Sequence, residues 1–275
     1  MNFNWVTVRV KSKLGIAYSQ TDLDYLRVEM VKTYPGLIDV KREKGLGAFT
    51  VEDDQRTLYF RLHPHSDTYV LEQVYVNYDY ESLVMAYRDK FGNDPEVRII
   101  DAGANVGYTT AYFLGKFSEA EVLCIEPDAG NLSVLRKNLE SEITRGSVHV
   151  LQKALMNKSG LNIVTGNDFR DGNDWSINVR ESEAESDLKS VCVQELITEM
   201  GWDLVDILKI DIEGAERFLF LDGEDLSWLD KVRVIALEIH DEFATRTDIC
   251  QKLENHGFSL TDVGETTIGI NHSLV

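Results

Sequence analysis

The chain of 275 residues carries 28 Lys+Arg against 47 Asp+Glu, a formal charge of −19, with 43% hydrophobic residues and only 4 prolines. That length and apolar fraction suit one sizeable core with a small appended subdomain, which excludes a fibrous or low-complexity protein. The acidic excess, with no clustered bases, argues against a nucleic-acid partner.

No apolar run approaches the roughly 20 residues of a membrane helix, and residues 1–13 lack the features of a signal peptide, so no membrane span and a cytoplasmic location are expected. Cys124, Cys192 and Cys250 are odd in number, far apart and without a C-x-x-C pair, and read as reduced core thiols.

Residues 1–94 read as an N-terminal cap or lid of short mixed segments and helices. Val70, Leu71, Val74 and Tyr75, then Leu83, Val84 and Tyr87, keep helical spacing with a break at 77–79, which predicts two helices. Ser66 and Asp67 read as the cap of the first. Residues 95–275 change to apolar strands alternating with amphipathic helices, an α/β pattern with a parallel sheet and helices on both faces. Strands are predicted at 97–101, 121–127, 148–155, 206–212 and 232–240, and helices at 108–117, 131–142, 193–200, 215–221 and 245–256. The tail 257–271 reads as one or two closing strands. A polar, glycine-containing insertion at 165–187 has loop composition, and long insertions of that kind are often lids.

Three short stretches carry chemistry. In V-R-I-I-D-A-G-A-N-V-G-Y, Asp101 ends a strand and Gly103 and Gly107 bracket a tight turn at the sheet edge where doubly wound folds bind cofactors, glycine letting backbone approach a ligand. The G-x-G-x-x-G dinucleotide fingerprint is not met, because Asn105 takes its second glycine position and the third is missing, which counts against NAD. Glu126, in C-I-E-P-D at the next strand end, suits the hydroxyls of an adenosine ribose. In D-I-L-K-I-D-I-E-G-A-E, period-two spacing sets Lys209, Asp211 and Glu213 on one face, either as a structural Lys209–Asp211 ion pair or as a reactive site. Glu238 and His240, in A-L-E-I-H, share a face at a further strand end.

These stretches, together with L-H-P-H-S-D-T-Y-V-L-E-Q-V-Y-V-N-Y-D-Y-E upstream, resemble the FkbM family of S-adenosylmethionine-dependent methyltransferases, with L-K-I-D-I-E-G-A-E the most specific part. The resemblance implies the class I methyltransferase fold, a Rossmann-like seven-stranded mostly parallel sheet ending in an antiparallel hairpin. It implies methyl transfer to an oxygen acceptor, a hydroxyl on a sugar, glycan or small metabolite. Within that fold Asp101, Gly103, Ala104, Asn105 and Gly107 would hold the methionine half of S-adenosyl-L-methionine and Glu126, followed by Pro127, its ribose. The segment 152–154, with Lys153 and Ala154, would lie near the adenine.

Methyl transfer is an in-line displacement that needs the acceptor held close and its proton removed. His240 or Asp211 is the candidate base, with Glu238 orienting the imidazole and Lys209 in the same charged group; Asp211 also faces the cofactor. Asp211, Glu213, Glu238 and His240 would also suit an oxygen-rich Mg2+ site, which nothing in the spacing demands. Trp175, with Phe169 and Arg170, is the candidate for acceptor contact. An NAD(P)-dependent oxidoreductase and a non-catalytic adenosine-binding protein are the alternatives.

Overall fold

A computed structural model describes residues 11, 17–94, 96–166, 178–240 and 245–274. The chain divides after Asn77 into two compact units. The first opens with helix α1 (Gln20–Val31), entered through a reciprocal cap in which the Ser19 side chain accepts from the Asp22 N–H and the Asp22 carboxylate accepts from the Ser19 N–H. An antiparallel sheet follows in the order β1 (Leu37–Glu43), β2 (Leu46–Val51), β3 (Thr57–Phe60), and then helix α2 (Asp67–Tyr75). Phe49 packs on Phe60 and edge-on against Tyr75, ring centroids 6.3 and 6.2 Å apart. Asp67 begins α2, but its buried carboxylate is engaged by Arg61, through the backbone N–H at 2.7 Å and Nη2 at 2.6 Å. It therefore ties the end of β3 to α2, and the expected cap is not made: the side chain of Ser66, at the N-cap, makes no capping hydrogen bond.

The second unit begins earlier than the expected boundary at residue 94, and the reason is packing. Helix α3 (Glu81–Phe91) belongs to it: Tyr80, just before the helix, meets Phe113 edge-on, and Tyr87 lies between Phe91 and Phe117 with centroids 5.4 and 5.5 Å away. The chain continues through β4 (Arg98–Ala102), α4 (Tyr108–Lys116), β5 (Glu121–Ile125), α5 (Ala129–Asn138), α6 (Glu140–Arg145) and β6 (Val148–Leu151). Next come β7 (Lys153–Leu155), β8 (Ile163–Gly166), β9 (Asn178–Glu181), β10 (Lys189–Val191), α7 (Val193–Met200), β11 (Val205–Ile210) and α8 (Glu216–Leu219). The last elements are β12 (Val232–Glu238), α9 (Arg246–Asn255), β13 (Phe258–Val263) and β14 (Thr266–Asn271).

Seven strands form one sheet in the order β13-β14-β12-β11-β4-β5-β6. The run from β6 to β12 is parallel, and β14 is antiparallel to both neighbours. This is the expected class I methyltransferase sheet with its closing hairpin. Ile100, Leu123, Leu208 and Ile235 join one core cluster with Leu196, Leu219 and Leu253 from helices. The alternate residues Ile99, Val122, Ile207 and Val234 are equally buried and point the other way, so the sheet is covered on both faces.

The predicted strand 148–155 is two strands. Leu151 pairs with Ile125, the last residue of β5, and beyond it the chain has no neighbour on that sheet, so β7 pairs instead with β10 in a separate parallel ribbon. Strands β5, β11 and β12 likewise stop before Glu126, Asp211 and His240, which places all three in the loops at the carboxyl edge. The insertion 165–187 is not all loop: β9 lies inside it and pairs with β8 as an antiparallel hairpin, while Phe169, Arg170 and Trp175 lie outside the described residues. The three cysteines are free; Cys124 is buried as expected of a core thiol, whereas Cys192 and Cys250 are half-buried. No described helix is long and apolar enough to cross a membrane.

At the opposite edge, Asp206 opens β11 and collects three donors: the Tyr87 hydroxyl at 3.1 Å, the Arg98 N–H at 2.9 Å and Arg233 Nη1 at 2.6 Å. One carboxylate thus ties α3, β4 and β12 together. Removing it leaves buried donors and a cation without a partner, so Asp206→Ala is expected to cost about 3 kcal/mol. A thermal melt checks this, with the midpoint falling by roughly 10 °C.

Candidate active site

The turn after β4 is built by its own backbone. Gly103 and Ala104 donate their N–H groups to the Ile125 carbonyl at 2.9 and 3.1 Å, and Asn105, at φ +49°, accepts from the Val106 N–H through its side-chain oxygen at 2.7 Å. Gly103 has φ +78°, and a Cβ there would sit 1.7 Å from the Asp211 carbonyl oxygen. Gly107 has φ +86°, and a Cβ would press on Leu135 and Leu139 at 3.2 Å. Positive φ at both positions, and the close approach of the Asp211 carbonyl at Gly103, require glycine within the protein itself. Gly103→Ala is expected to break the contact between the turn and the end of β11 and to abolish cofactor binding; calorimetric titration of a folded variant checks it.

Asp101, the penultimate residue of β4, is fully buried, accepting from Thr110 Oγ1 at 2.6 Å and lying 3.3 Å from Lys209 Nζ. Lys209 also donates to the Gly103 carbonyl at 2.7 Å and the Ala102 carbonyl at 3.3 Å, and stands 3.5 Å from Asp211. Burial works against its charge, but Tyr80, Asp101 and Asp211 hold its pKa above the ordinary lysine range. With its side chain 3% exposed and these partners in place, Lys209 pins the turn and neutralises Asp101. The expected ion pair with Asp211 exists, but it is the longer of the two.

Glu126 follows β5. Its Oε2 accepts from the Asn105 N–H at 2.9 Å, and its Oε1 from the Asp128 N–H at 2.9 Å and from Asn131 Nδ2 at 3.2 Å. Burial pushes its pKa up to about 7 against the lowering effect of those hydrogen bonds. The glycine turn and Glu126 are thus joined directly. Pro127 is adjacent, its carbonyl accepting from Gln152 Nε2 at 3.3 Å. The next two residues turn elsewhere: Lys153 Nζ stands 3.7 Å from Glu195, and Ala154 is buried with Met156, Ile163 and Ala215.

Asp211, Glu213, Glu216, Glu238 and His240 gather where β11 and β12 end. His240, fully buried, places Nδ1 3.1 Å from Glu216 Oε1, and Nε2 3.3 Å from Glu213 Oε2 and 3.7 Å from Glu238 Oε1. Glu216 Oε1 also accepts from the Ile212 and Gly214 N–H groups at 3.0 and 3.2 Å. Burial opposes a charge on His240, but the Glu213 and Glu216 carboxylates push its pKa up to about 11. Burial, reinforced by the charge of Asp211, pushes Glu238 up to about 9.

Four further residues join this site without having stood out in the sequence. Thr110 and Asn131 hold Asp101 and Glu126, and Glu216 holds the 212–214 turn. Tyr80, buried and raised in pKa first by that burial, lies within the fields of Lys209, Asp211, Asp101 and Glu238. Glu216 carried a signal, its place three residues after Glu213 in E-G-A-E. Tyr80 carried none, since it lies more than a hundred residues from Lys209 in the chain.

The family profile described as the methyltransferase FkbM domain matches residues 101–260. Methyltransferase sdnD of Sordaria araneosa is 26% identical over 224 residues, spanning 70% of this chain and 86% of that protein. The 31-O-demethyl-FK506 methyltransferase FkbM of Streptomyces tacrolimicus is 30% identical over 76 residues, 28% of this chain and 29% of that one. Among solved structures, a methyltransferase FkbM from Methylobacillus flagellatus KT aligns with a TM-score of 0.42 and 16% identity, covering 75% of this chain and 56% of that chain. The profile match takes in Asp101, the glycine turn, Glu126 and the whole Asp211–His240 group, and the chain belongs to the FkbM methyltransferase family.

Proposed function

We propose that the protein transfers the methyl group of S-adenosyl-L-methionine to a hydroxyl of a sugar or small metabolite. The observation that carries this reading is the direct bond between Glu126 and the glycine turn, set beside the carboxylates that end β11 and β12. Glu126 fits the ribose of that cofactor: its Oε2 carries one donor, which leaves acceptor capacity for hydroxyl groups. Asp101, Ala104, Asn105 and Asp211 line the side where the methionine half would lie, and the acidic surroundings suit its ammonium and sulfonium charges.

When bound, S-adenosylmethionine supplies an electrophilic methyl carbon. The protein's part is to hold the acceptor oxygen in line and to receive its proton. Glu238 suits the second task by position, at the end of β12 with its carboxylate 17% exposed; it acts in its ionised form, whose share grows as pH rises towards about 9. His240 is less suited, because both of its ring nitrogens face carboxylates. Glu238 would receive the acceptor's proton as the oxygen takes the methyl group that the bound cofactor would supply, the methyl–sulfur electron pair remaining with the cofactor.

The acceptor side is acidic throughout. Burial raises the pKa of Asp79, and the charge of Glu265 adds to it; Glu265 also acts on Glu238. Such a field repels phosphorylated and carboxylated acceptors and favours neutral ones. The relative named as a 31-O-demethyl-FK506 methyltransferase supports an alcohol as acceptor. Calorimetric titration with S-adenosylhomocysteine, with NAD as control, tests the cofactor, and labelled methyl donor with a panel of hydroxylated small molecules tests the acceptor. Micromolar binding of S-adenosylhomocysteine and label in an alkali-stable ether are expected; binding of NAD alone would overturn the proposal.

A further inference from the structure

We infer that Asp211, Glu213 and His240 form a site for one divalent cation. One ligand atom from each lies within 4.8 Å of the others, and no second such group exists among the described residues. Ligands held at about 2.1 Å from an ion stand about 3 Å apart when adjacent and about 4.2 Å apart when opposite. The 3.3 Å between His240 Nε2 and Glu213 Oε2 is the spacing of adjacent ligands.

The surroundings of the imidazole point the same way. A metal-binding histidine is commonly oriented by a carboxylate on its other nitrogen, which fixes the tautomer and the ring plane. Here Glu216 stands 3.1 Å from Nδ1, and the Ile212 and Gly214 N–H groups hold Glu216 in turn. That arrangement presents Nε2 towards Glu213 and Glu238, and an ion seated there would displace the proton that Nε2 otherwise shares with Glu213, releasing it to solvent. The three side chains form a gradient of exposure, from 0% at His240 through 10% at Glu213 to 28% at Asp211, so an ion seated among them keeps its free positions on the Asp211 side. One imidazole and two carboxylates suit Mn2+ or Mg2+ better than a thiolate-seeking ion.

The use of such an ion rests on the methyltransferase reading. On its open side it would bind the acceptor oxygen and lower the pKa of the hydroxyl, easing transfer of the proton to Glu238.

The test uses the full chain, stripped with chelator, desalted and titrated with Mn2+ under electron paramagnetic resonance. One saturable site is expected, with a histidine nitrogen coupled to the bound ion in the pulsed spectrum of the unmodified protein. Asp211→Asn and Glu213→Gln should each weaken Mn2+ binding by at least about tenfold. The histidine coupling needs no variant, so it decides the matter even if both fail to fold. Absence of saturable binding up to millimolar Mn2+, a bound ion with no histidine nitrogen, or unchanged affinity in both folded variants would overturn the site. Titrating the same sample with S-adenosylhomocysteine separates the two readings: cofactor binding without Mn2+ binding removes only the cation site, and Mn2+ binding without cofactor binding removes only the methyl-donor reading.

Discussion

Glu126→Ala is expected to weaken S-adenosylhomocysteine binding by about 100- to 1,000-fold. A hydroxyl donating to a buried carboxylate contributes about 1.5–3 kcal/mol, and two such bonds in the lower part of that range amount to roughly 3–4 kcal/mol, at about 1.4 kcal/mol per tenfold. The substitution also strips the Asn105 and Asp128 N–H groups and the Asn131 amide of their acceptor, so the turn loses its tie to β5. Glu126→Gln keeps the shape without the charge and should fall between the two.

The pH dependence follows from the same residue. Its folded pKa is raised from 4.5 to about 7, chiefly by burial, while ribose hydroxyls favour the ionised form. Affinity should therefore fall as pH drops below about 7, approaching tenfold per unit. The linkage to folding has the opposite sense to that of a salt-bridged acid. The folded state holds this proton more tightly than the unfolded chain, so the contribution of Glu126 to stability declines as pH rises from about 4.5 to about 7. Titrations at pH 6, 7 and 8, with melts of Glu126→Gln alongside, check both signs.

Lys209→Met is expected to be the most damaging single change in the sheet. Methionine fills a similar volume, but Asp101 loses its only ion pair among the described contacts, and Asp211 loses its neighbour. The Gly103 and Ala102 carbonyls lose their side-chain donor as well. Breaking a buried pair by removing one partner typically costs about 3–5 kcal/mol. Urea unfolding should show that loss, and the cofactor should no longer bind, because the turn it needs is no longer pinned. Adding Asp101→Asn to Lys209→Met should restore most of the stability, since it removes the stranded charge. If the double variant were as unstable as the single one, the ion pair would not be the cause.

The order of strands and helices was legible because their periods differ, and the acids of the site were legible because polar residues at strand ends stand out from an apolar run. Glu126, Asp211 and His240 stood out for that reason, and each lies just beyond a strand. What did not show was set by contacts distant in sequence. The helix Glu81–Phe91 reads the same whether it caps or joins the main unit, and only its partners Phe113, Phe117 and Asp206 decide. The break at Gln152 depends on where β5 ends rather than on any residue near it. Gly103 announced a tight turn, but the atom crowding it is the carbonyl of Asp211, just past the end of another strand. His240 looked like a base, and the carboxylates on both its nitrogens appear only when Glu213, Glu216 and Glu238 are brought around it.

Strand β11 carries Asp206 near one end and leads into Asp211 just past the other, about 16–17 Å away at the rise of an extended chain. Substitution at the first position is expected to act on stability, and substitution at the second on the proposed chemistry. One short segment would thus separate the two effects, with folded yield reading one end and turnover the other.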